Sequence, residues 1–180
     1  MNLRRLKLNT DQKTYFKKLC REIIGQQLAG KAAEAITGRF EKLFTKVGIE
    51  PKNILEVKEQ DLRNIGMSWA KVRYVRNLAE GVNSGEVNLA GLPKLKDEEV
   101  IAELIKVKGV GRWTAEMFLI FTLGREDVFS FGDLGLFRGF KRLYKMTDKQ
   151  AKRKIKSVTD KWSPYKSYGC LALWEAAEIT

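Results

Sequence analysis

The sequence predicts an all-α protein, because helical spacing of apolar residues and helix-boundary signals cover most of the chain. Nine segments carry one or both signals: residues 11–24, 31–44, 53–64, 68–83, 97–107, 112–123, 133–144, 148–161 and 164–178. In the fourth segment, five aliphatic residues recur at helical spacing and are expected to bury one face. They are Val72, Val75, Leu78, Ala79 and Val82. The apolar run 127–131 is at most a short extended connection, so no sheet is predicted.

Several helix starts are marked by capping residues. Thr147 with Gln150 forms a capping-box pattern, in which each side chain bonds the other residue's backbone amide. Asp97 precedes an acidic first turn. Ser163 comes before Pro164, which is predicted to occupy the first position of the last helix.

The chain is strongly basic. Its 180 residues contain 34 Lys plus Arg against 22 Asp plus Glu, which gives a formal net charge of +12 and a pI of about 9.7. Such a charge favours a nucleic-acid partner, although ribosomal, membrane-surface and simply Lys-rich proteins share it. The densest basic cluster is interpreted as a solvated helix face rather than a phosphate site. It consists of Lys149, Lys152, Arg153, Lys154 and Lys156.

Residue content excludes several kinds of chemistry. The chain has no histidine, so a Ser–His or Cys–His nucleophilic pair is excluded. Cys20 and Cys170 are too few for a zinc or iron–sulfur site and are predicted to be buried thiols. No apolar run approaches 18 residues, and residues 1–7 alternate charge and leucine, unlike a signal peptide. A soluble, cytoplasmic protein without membrane contact is expected.

The segment 105–115 reads as two helices joined by a Gly-hydrophobic-Gly hairpin. Both Gly109 and Gly111 permit φ > 0 and allow a ligand to approach the main chain closely. A helix is predicted to begin after Gly111, and the first amides of a helix can donate to an anion. The pattern therefore predicts a phosphate-binding turn, with an ordinary interhelical turn as the alternative.

A second signal is the carboxylate that ends the apolar segment 127–136. Asp133 stands where a new helix is predicted to begin, and aspartate is a preferred N-cap. An N-cap needs no chemistry.

The order and spacing of these elements resemble the helix-hairpin-helix DNA glycosylases, in particular the 3-methyladenine DNA glycosylase II branch. Further matches lie at residues 24–28 with 31–33, 66–68 with Lys71, and 162–168 with Trp174. The resemblance implies one domain over residues 1–180, with a DNA-binding cleft between two helical lobes. One lobe would hold the middle helices, about 25–95, and the other about 1–24 plus 96–180.

The resemblance also implies a role for individual residues. Asp133 would be the catalytic carboxylate, and Gln27 would fill the gap left in the duplex when a nucleotide rotates out of the stack. The base pocket would be lined by Trp113, Met117, Leu134 and Trp174. The phosphate contacts would come from Gly109, Val110, Gly111, Arg112 and Thr114. Core packing for the tryptophans, and capping or solvent exposure for Gln27, are the alternatives.

The position after the hairpin separates two kinds of glycosylase. Bifunctional members of this superfamily carry a Schiff-base lysine there, whereas this chain has Trp113. The resemblance therefore implies a monofunctional enzyme. The expected partner is double-stranded DNA that contains a damaged base, and a monomer without a cofactor is expected. In relatives the hairpin holds a monovalent cation, Na⁺ or K⁺. The matching carbonyls here are those of Ile105, Val107 and Val110.

The implied substrates are alkylated purines such as 3-methyladenine and 7-methylguanine, whose positive charge strengthens aromatic stacking and improves the leaving group. Met117 and Leu134 stand where relatives often carry aromatic residues, so the pocket is expected to be more open or differently shaped. A neutral lesion such as hypoxanthine is therefore an alternative substrate. A non-catalytic helix-hairpin-helix DNA-binding protein is the alternative from another class. An RNA- or ribosome-associated helical protein would explain the charge but not these positions.

Overall fold

A computed structural model describes residues 11–28 and 30–178 of the chain. Within these ranges all regular structure is helical, which confirms the all-α prediction. No helix in the described ranges is long and apolar enough to cross a bilayer. The expectation about a signal peptide concerns residues 1–7, which lie outside the described residues.

Ten α-helices lie within the described ranges, and two short 3₁₀ segments accompany them. The α-helices are α1 Lys13–Gly25, α2 Gly30–Leu43, α3 Pro51–Glu56, α4 Glu59–Asn64, α5 Trp69–Asn83, α6 Asp97–Leu104, α7 Arg112–Phe121, α8 Leu134–Leu143, α9 Asp148–Thr159 and α10 Lys166–Glu178. The 3₁₀ segments are Leu89–Lys94 and Asp160–Trp162.

The described chain divides into two compact units, which we call the N-terminal unit (residues 11–118) and the C-terminal unit (residues 119–178). In the N-terminal unit, α1 packs on α2 and α5, and α5 packs on α3. Its core includes Phe16, Leu19 and Ile23 of α1, all buried. In the C-terminal unit, α8 packs on α10 and α9.

The lobes expected at about 25–95 and 1–24 plus 96–180 stay a prediction. The apolar face of α1 is buried within the N-terminal unit, and the chain from 96 to 118 belongs to the same unit. The first ten residues of the expected second lobe lie outside the described residues. The DNA-binding cleft expected between the lobes stays a prediction.

The helix predicted over 53–64 is wrong, because the chain forms two shorter helices there. Val57 and Lys58 have extended backbones between α3 and α4. Arg76 of α5 donates to the carbonyls of Leu55 and Val57, the second at 3.2 Å. This long-range donor compensates carbonyl groups that a continuous helix would have bonded internally.

The start predicted for the last helix is also wrong. Helix α10 begins at Lys166 rather than at Pro164. Asp127 accepts a hydrogen bond from the Lys166 amide and another from the Ser163 hydroxyl. The Ser163 side chain is therefore bonded to Asp127, a residue 36 positions away, instead of capping the next turn.

Other local predictions are confirmed. Thr147 and Gln150 form the reciprocal capping box at α9. The basic cluster of α9 is exposed at all five positions. Cys20 and Cys170 are buried thiols, and burial raises the pKa of the Cys20 thiol well above its ordinary value.

Helices α8 and α10 pack closely at Gly139. A Cβ atom added to Gly139 would lie 1.9 Å from the Leu173 carbonyl oxygen. Only a residue without a side chain lets the two backbones approach this closely. Gly139 therefore sets the position of the helix that Asp133 begins.

Candidate functional site

The predicted site residues fall into two groups, one in each unit. Asp133, Leu134 and Trp174 belong to the C-terminal unit, whereas Gln27, the hairpin, Trp113 and Met117 belong to the N-terminal unit.

Asp133 is the N-cap of α8. Its backbone is extended, and its Oδ1 atom accepts the Leu136 amide at 2.7 Å. The side chain is 8% exposed. The capping interpretation is thus confirmed, and the cap holds the carboxylate in one orientation at the helix start.

Trp174 of α10 gives the same carboxylate a second bond. Its indole Nε1–H donates to Asp133 Oδ1 at 3.1 Å. A Cβ atom on Gly135 would lie 3.0 Å from Asp133 Oδ1 and 3.0 Å from the indole Cδ1 atom. The missing side chain at 135 therefore leaves the space in which the tryptophan and the carboxylate meet.

Phe121 is an aromatic neighbour that the sequence interpretation missed. Its ring lies 5.5 Å from the Trp174 indole, centroid to centroid, at an angle of 31°. Phe121 is the last residue of α7 and is 47% exposed. Its position at the end of a mostly buried helix gave no sign of a role, because the partner ring is 53 residues away along the chain. The exposed Phe121 ring and the partly buried Trp174 indole thus lie together beside the carboxylate.

The remaining predicted pocket residues differ in how much surface they offer. Leu134 is 77% exposed and Trp113 is 38% exposed, so both present surface. Met117 is 4% exposed and offers almost none. Their contact with a base stays a prediction.

The hairpin lies between the end of α6 at Leu104 and the start of α7 at Arg112. Gly109 has φ of +104°, and a Cβ atom there would lie 2.1 Å from the Tyr74 ring. The Lys108 carbonyl accepts the Asn77 side-chain amide at 3.2 Å. Tyr74 and Asn77, three residues apart on α5, support the turn from one helix face. Sequence reasoning missed both, because neither belongs to the buried stripe of α5.

Gly111 differs from the expectation that both glycines take positive φ. Among the described residues, the positive-φ positions do not include it, and no neighbouring atom lies within 4 Å of a Cβ added there. Folding of the turn therefore requires glycine at 109 but not at 111. The absence of a side chain at 111 leaves open space above the backbone where α7 begins.

Arg112 has its guanidinium engaged by two carboxylates. It donates to Glu98 through two nitrogens, one bond measuring 3.0 Å, and to Glu116 at 2.9 Å. The bond from Arg112 lowers the pKa of the Glu98 carboxyl. The side chain thus connects α6 with α7, and a phosphate contact from it stays a prediction.

The turn after α1 is bonded to the hairpin. The Gln26 side-chain amide donates to the Gly109 carbonyl and to the Thr114 hydroxyl, both at 3.0 Å. Thr114 is 2% exposed, so its hydroxyl faces Gln26 inside the unit. Gln27 is exposed with φ of +57°. A non-glycine residue in this region costs roughly 1–2 kcal/mol, which marks the turn as specifically held.

Gln26 and Gln27 border a cavity of about 470 Å³ within the N-terminal unit. Its other lining residues are Tyr74, Gly109, Val110, Gly111, Trp113 and Thr114. The predicted plug, the hairpin and one predicted pocket tryptophan thus share one concave surface.

With this geometry established, the chain can be compared with known proteins. The model of the HhH-GPD superfamily base excision DNA repair protein family matches residues 20–164. The chain belongs to this family. The matched residues contain Gln27, the hairpin and Asp133, whereas Trp174 lies beyond them.

Individual relatives agree with the HhH-GPD assignment. The chain is 36% identical to Bacillus subtilis YfjP over 162 residues, covering 87% of this chain and 56% of that protein. It is 30% identical over 171 residues to DNA-3-methyladenine glycosylase 1 of Schizosaccharomyces pombe, covering 94% of this chain and 75% of the relative. The chain therefore spans little more than half the length of one relative and three quarters of the other.

Solved structures show the same fold. The crystal structure of DNA-3-methyladenine glycosidase from Bacillus halodurans matches with a TM-score of 0.82 and 39% identity, over 99% of this chain and 80% of that one. The S. pombe 3-methyladenine DNA glycosylase Mag1, solved in complex with abasic DNA, matches with a TM-score of 0.80 and 26% identity. That match covers 100% of this chain and 88% of Mag1.

Proposed function

We propose that this HhH-GPD chain is a monofunctional DNA glycosylase that removes alkylated purines from duplex DNA and leaves an abasic site. Relatives named DNA-3-methyladenine glycosylase support the substrate class. The relative solved with abasic DNA supports DNA as the partner. The net charge of +12 favours a polyanion.

The arrangement of Asp133 carries the proposal. The helix start and the Trp174 indole N–H both bond Oδ1, which holds the carboxylate in place. A carboxylate fixed in this way can stabilise positive charge on C1′ as the base departs, or orient the water that attacks it.

The exposed aromatic rings suit a base taken out of the stack. A glycosylase must rotate the nucleotide out of the duplex, because C1′ is shielded in the stacked helix. Stacking on aromatic side chains repays about 1–3 kcal/mol per base. Trp174 with Phe121, and Trp113, offer such rings, and a cationic methylated purine gains further from an aromatic face.

The reaction is expected to stop at the abasic site. Trp113 stands where a Schiff-base lysine would be needed to cut the strand, and an indole cannot form that adduct. Incubation with a duplex containing one 7-methylguanine should therefore produce breaks only after alkali treatment. The same duplex with guanine is the control. Breaks without alkali would contradict the monofunctional assignment, and no breaks after alkali would contradict the glycosylase.

The hairpin is proposed to bind a DNA phosphate through backbone amides at the start of α7. Gly111→Ala tests this, because its Cβ meets no protein atom within 4 Å and its effect on folding should stay within about 0.5 kcal/mol. DNA affinity should fall about tenfold, as expected for loss of a hydrogen bond to a charged group. Fluorescence anisotropy with a labelled duplex measures the affinity.

Gly109→Ala is the matched comparison. Its added Cβ would clash with Tyr74 and strain a backbone at φ +104°, so thermal unfolding should reveal a loss of at least about 1 kcal/mol. If Gly111→Ala binds DNA with unchanged affinity, the phosphate-binding proposal is contradicted and the hairpin is an ordinary interhelical turn.

A monovalent cation at the hairpin remains part of the proposal. The carbonyls of Ile105, Val107 and Val110 are neutral oxygen donors, which suit Na⁺ or K⁺. Side-chain amides are bonded to two other carbonyls of the turn, those of Lys108 and Gly109. A cation there would place positive charge beside a bound phosphate.

A further inference from the structure

Gln26, the residue before the predicted plug Gln27, is bonded to the proposed phosphate-binding turn. Its one amide nitrogen donates to Gly109, 83 residues away, and to Thr114 in the first turn of α7. Both donor hydrogens of that nitrogen are thereby assigned to partners. Gln27 follows directly, exposed and with a left-handed backbone.

The same turn is held from a second side. The ammonium group of Lys71 on α5 donates to the Ile24 carbonyl at 2.6 Å, near the end of α1. A cation at the last carbonyls of a helix is favourable for the helix dipole. Burial lowers the pKa of this lysine, consistent with a partly desolvated contact. The Leu28 amide also donates to the Gly25 carbonyl at 3.1 Å, so the Gln26 side chain adds the link to the hairpin to a turn that the backbone already closes.

We propose that Gln26 is a positioning residue that couples the hairpin to the plug, so that a hairpin bound to phosphate presents Gln27 in its inserting conformation. The inference rests on the proposed function, because it assumes that Gln27 fills the gap left by the extruded nucleotide. Gln26 itself touches neither base nor sugar in this role. Gln26 holds the backbone of Gln27 in place before DNA binds. Less binding free energy is then lost in ordering that backbone when the complex forms.

A double-mutant cycle tests the coupling. Gln26→Met retains the length of the side chain but removes both hydrogen bonds, and Gln27→Ala removes the plug. We expect Gln26→Met to lower kcat/KM on a 7-methylguanine duplex about tenfold, in line with the loss of two hydrogen bonds. In the Gln27→Ala background the same substitution should change kcat/KM less than twofold, since a residue that acts through another is not additive with it.

Two further measurements separate positioning from general stability. On single-stranded DNA carrying the same lesion, where no gap needs filling, Gln26→Met should act like the unsubstituted chain. Gln60→Met, which removes an exposed amide bonded only locally to Asn64, should change neither substrate's kinetics. Additive losses in the cycle, or an equal loss on single strands, would overturn the inference.

The proposed function and this inference can fail separately. If the unsubstituted chain releases no base, the same cycle is run on the Kd for a duplex containing a tetrahydrofuran abasic-site analogue. Non-additivity between Gln26→Met and Gln27→Ala in that Kd would retain the coupling without the reaction. Additivity there would overturn it.

Discussion

Asp133→Asn should lower base release by about 100-fold or more while fold and DNA affinity stay nearly unchanged. Asparagine is as good an N-cap as aspartate, and its carbonyl oxygen can still accept the Leu136 amide and the Trp174 indole N–H. The substitution therefore removes mainly the negative charge. Removing one group that stabilises transition-state charge costs on the order of 10²–10³ in rate.

Single-turnover release of 7-methylguanine measures this effect, and thermal unfolding with duplex binding checks the fold. Asp148→Asn is the matched control, since it removes an exposed carboxylate of the same unit that pairs with Lys141. The control should release base at the normal rate. Near-normal release in Asp133→Asn would remove Asp133 from the mechanism and leave it a helix cap.

Gly139→Ala is expected to be the most destabilising small substitution in the C-terminal unit. Its Cβ would lie 1.9 Å from the Leu173 carbonyl oxygen, a backbone atom that can move only if α8 and α10 separate. Overpacking typically lowers the free energy of unfolding by about 1–3 kcal/mol. A clash with a backbone atom is expected to lower it by about 3 kcal/mol or more. For a chain of this size, about 3 kcal/mol corresponds to a fall in Tm of roughly 6–12 °C.

Base release should fall with stability in this variant, because Asp133 begins α8 and Trp174 lies on α10. Gly38→Ala is the control, a helical glycine of α2 whose added Cβ meets no atom within 4 Å. It should stabilise the protein by about 0.5–1 kcal/mol, through the helix propensity of alanine alone. Calorimetry compares the two. A Gly139→Ala variant as stable as Gly38→Ala would contradict the proposed tight packing of α8 on α10.

The helix starts show which features of the fold can be predicted from residues that are close in the sequence. Thr147 with Gln150 was correctly predicted as a capping box, because both partners lie within one turn. Asp133 was correctly predicted to begin a helix for the same reason. The helix cap predicted at Ser163 is wrong, because the Ser163 hydroxyl donates to Asp127, 36 residues away in the sequence.

The hairpin shows the same limit. Residues 105–115 predict a glycine turn followed by a helix. They do not predict that the two glycines have different roles. Gly109 has positive φ beneath the Tyr74 ring, whereas Gly111 needs neither positive φ nor space from the protein. The distinction depends on which residue of α5 lies against the turn, and no local pattern contains that information.

The sequence by itself determined the all-α class, the Gly-hydrophobic-Gly hairpin between two helices and the carboxylate at a helix start, because glycine conformation and capping act within a few residues. Only the tertiary structure decided that Arg112 pairs with Glu98 of α6, that Phe121 lies against Trp174 and that Gln26 bonds the hairpin. These partners lie 14 to 83 residues apart in the chain. Their contact follows from packing of whole helices, which depends on all the buried faces together and not on any one motif.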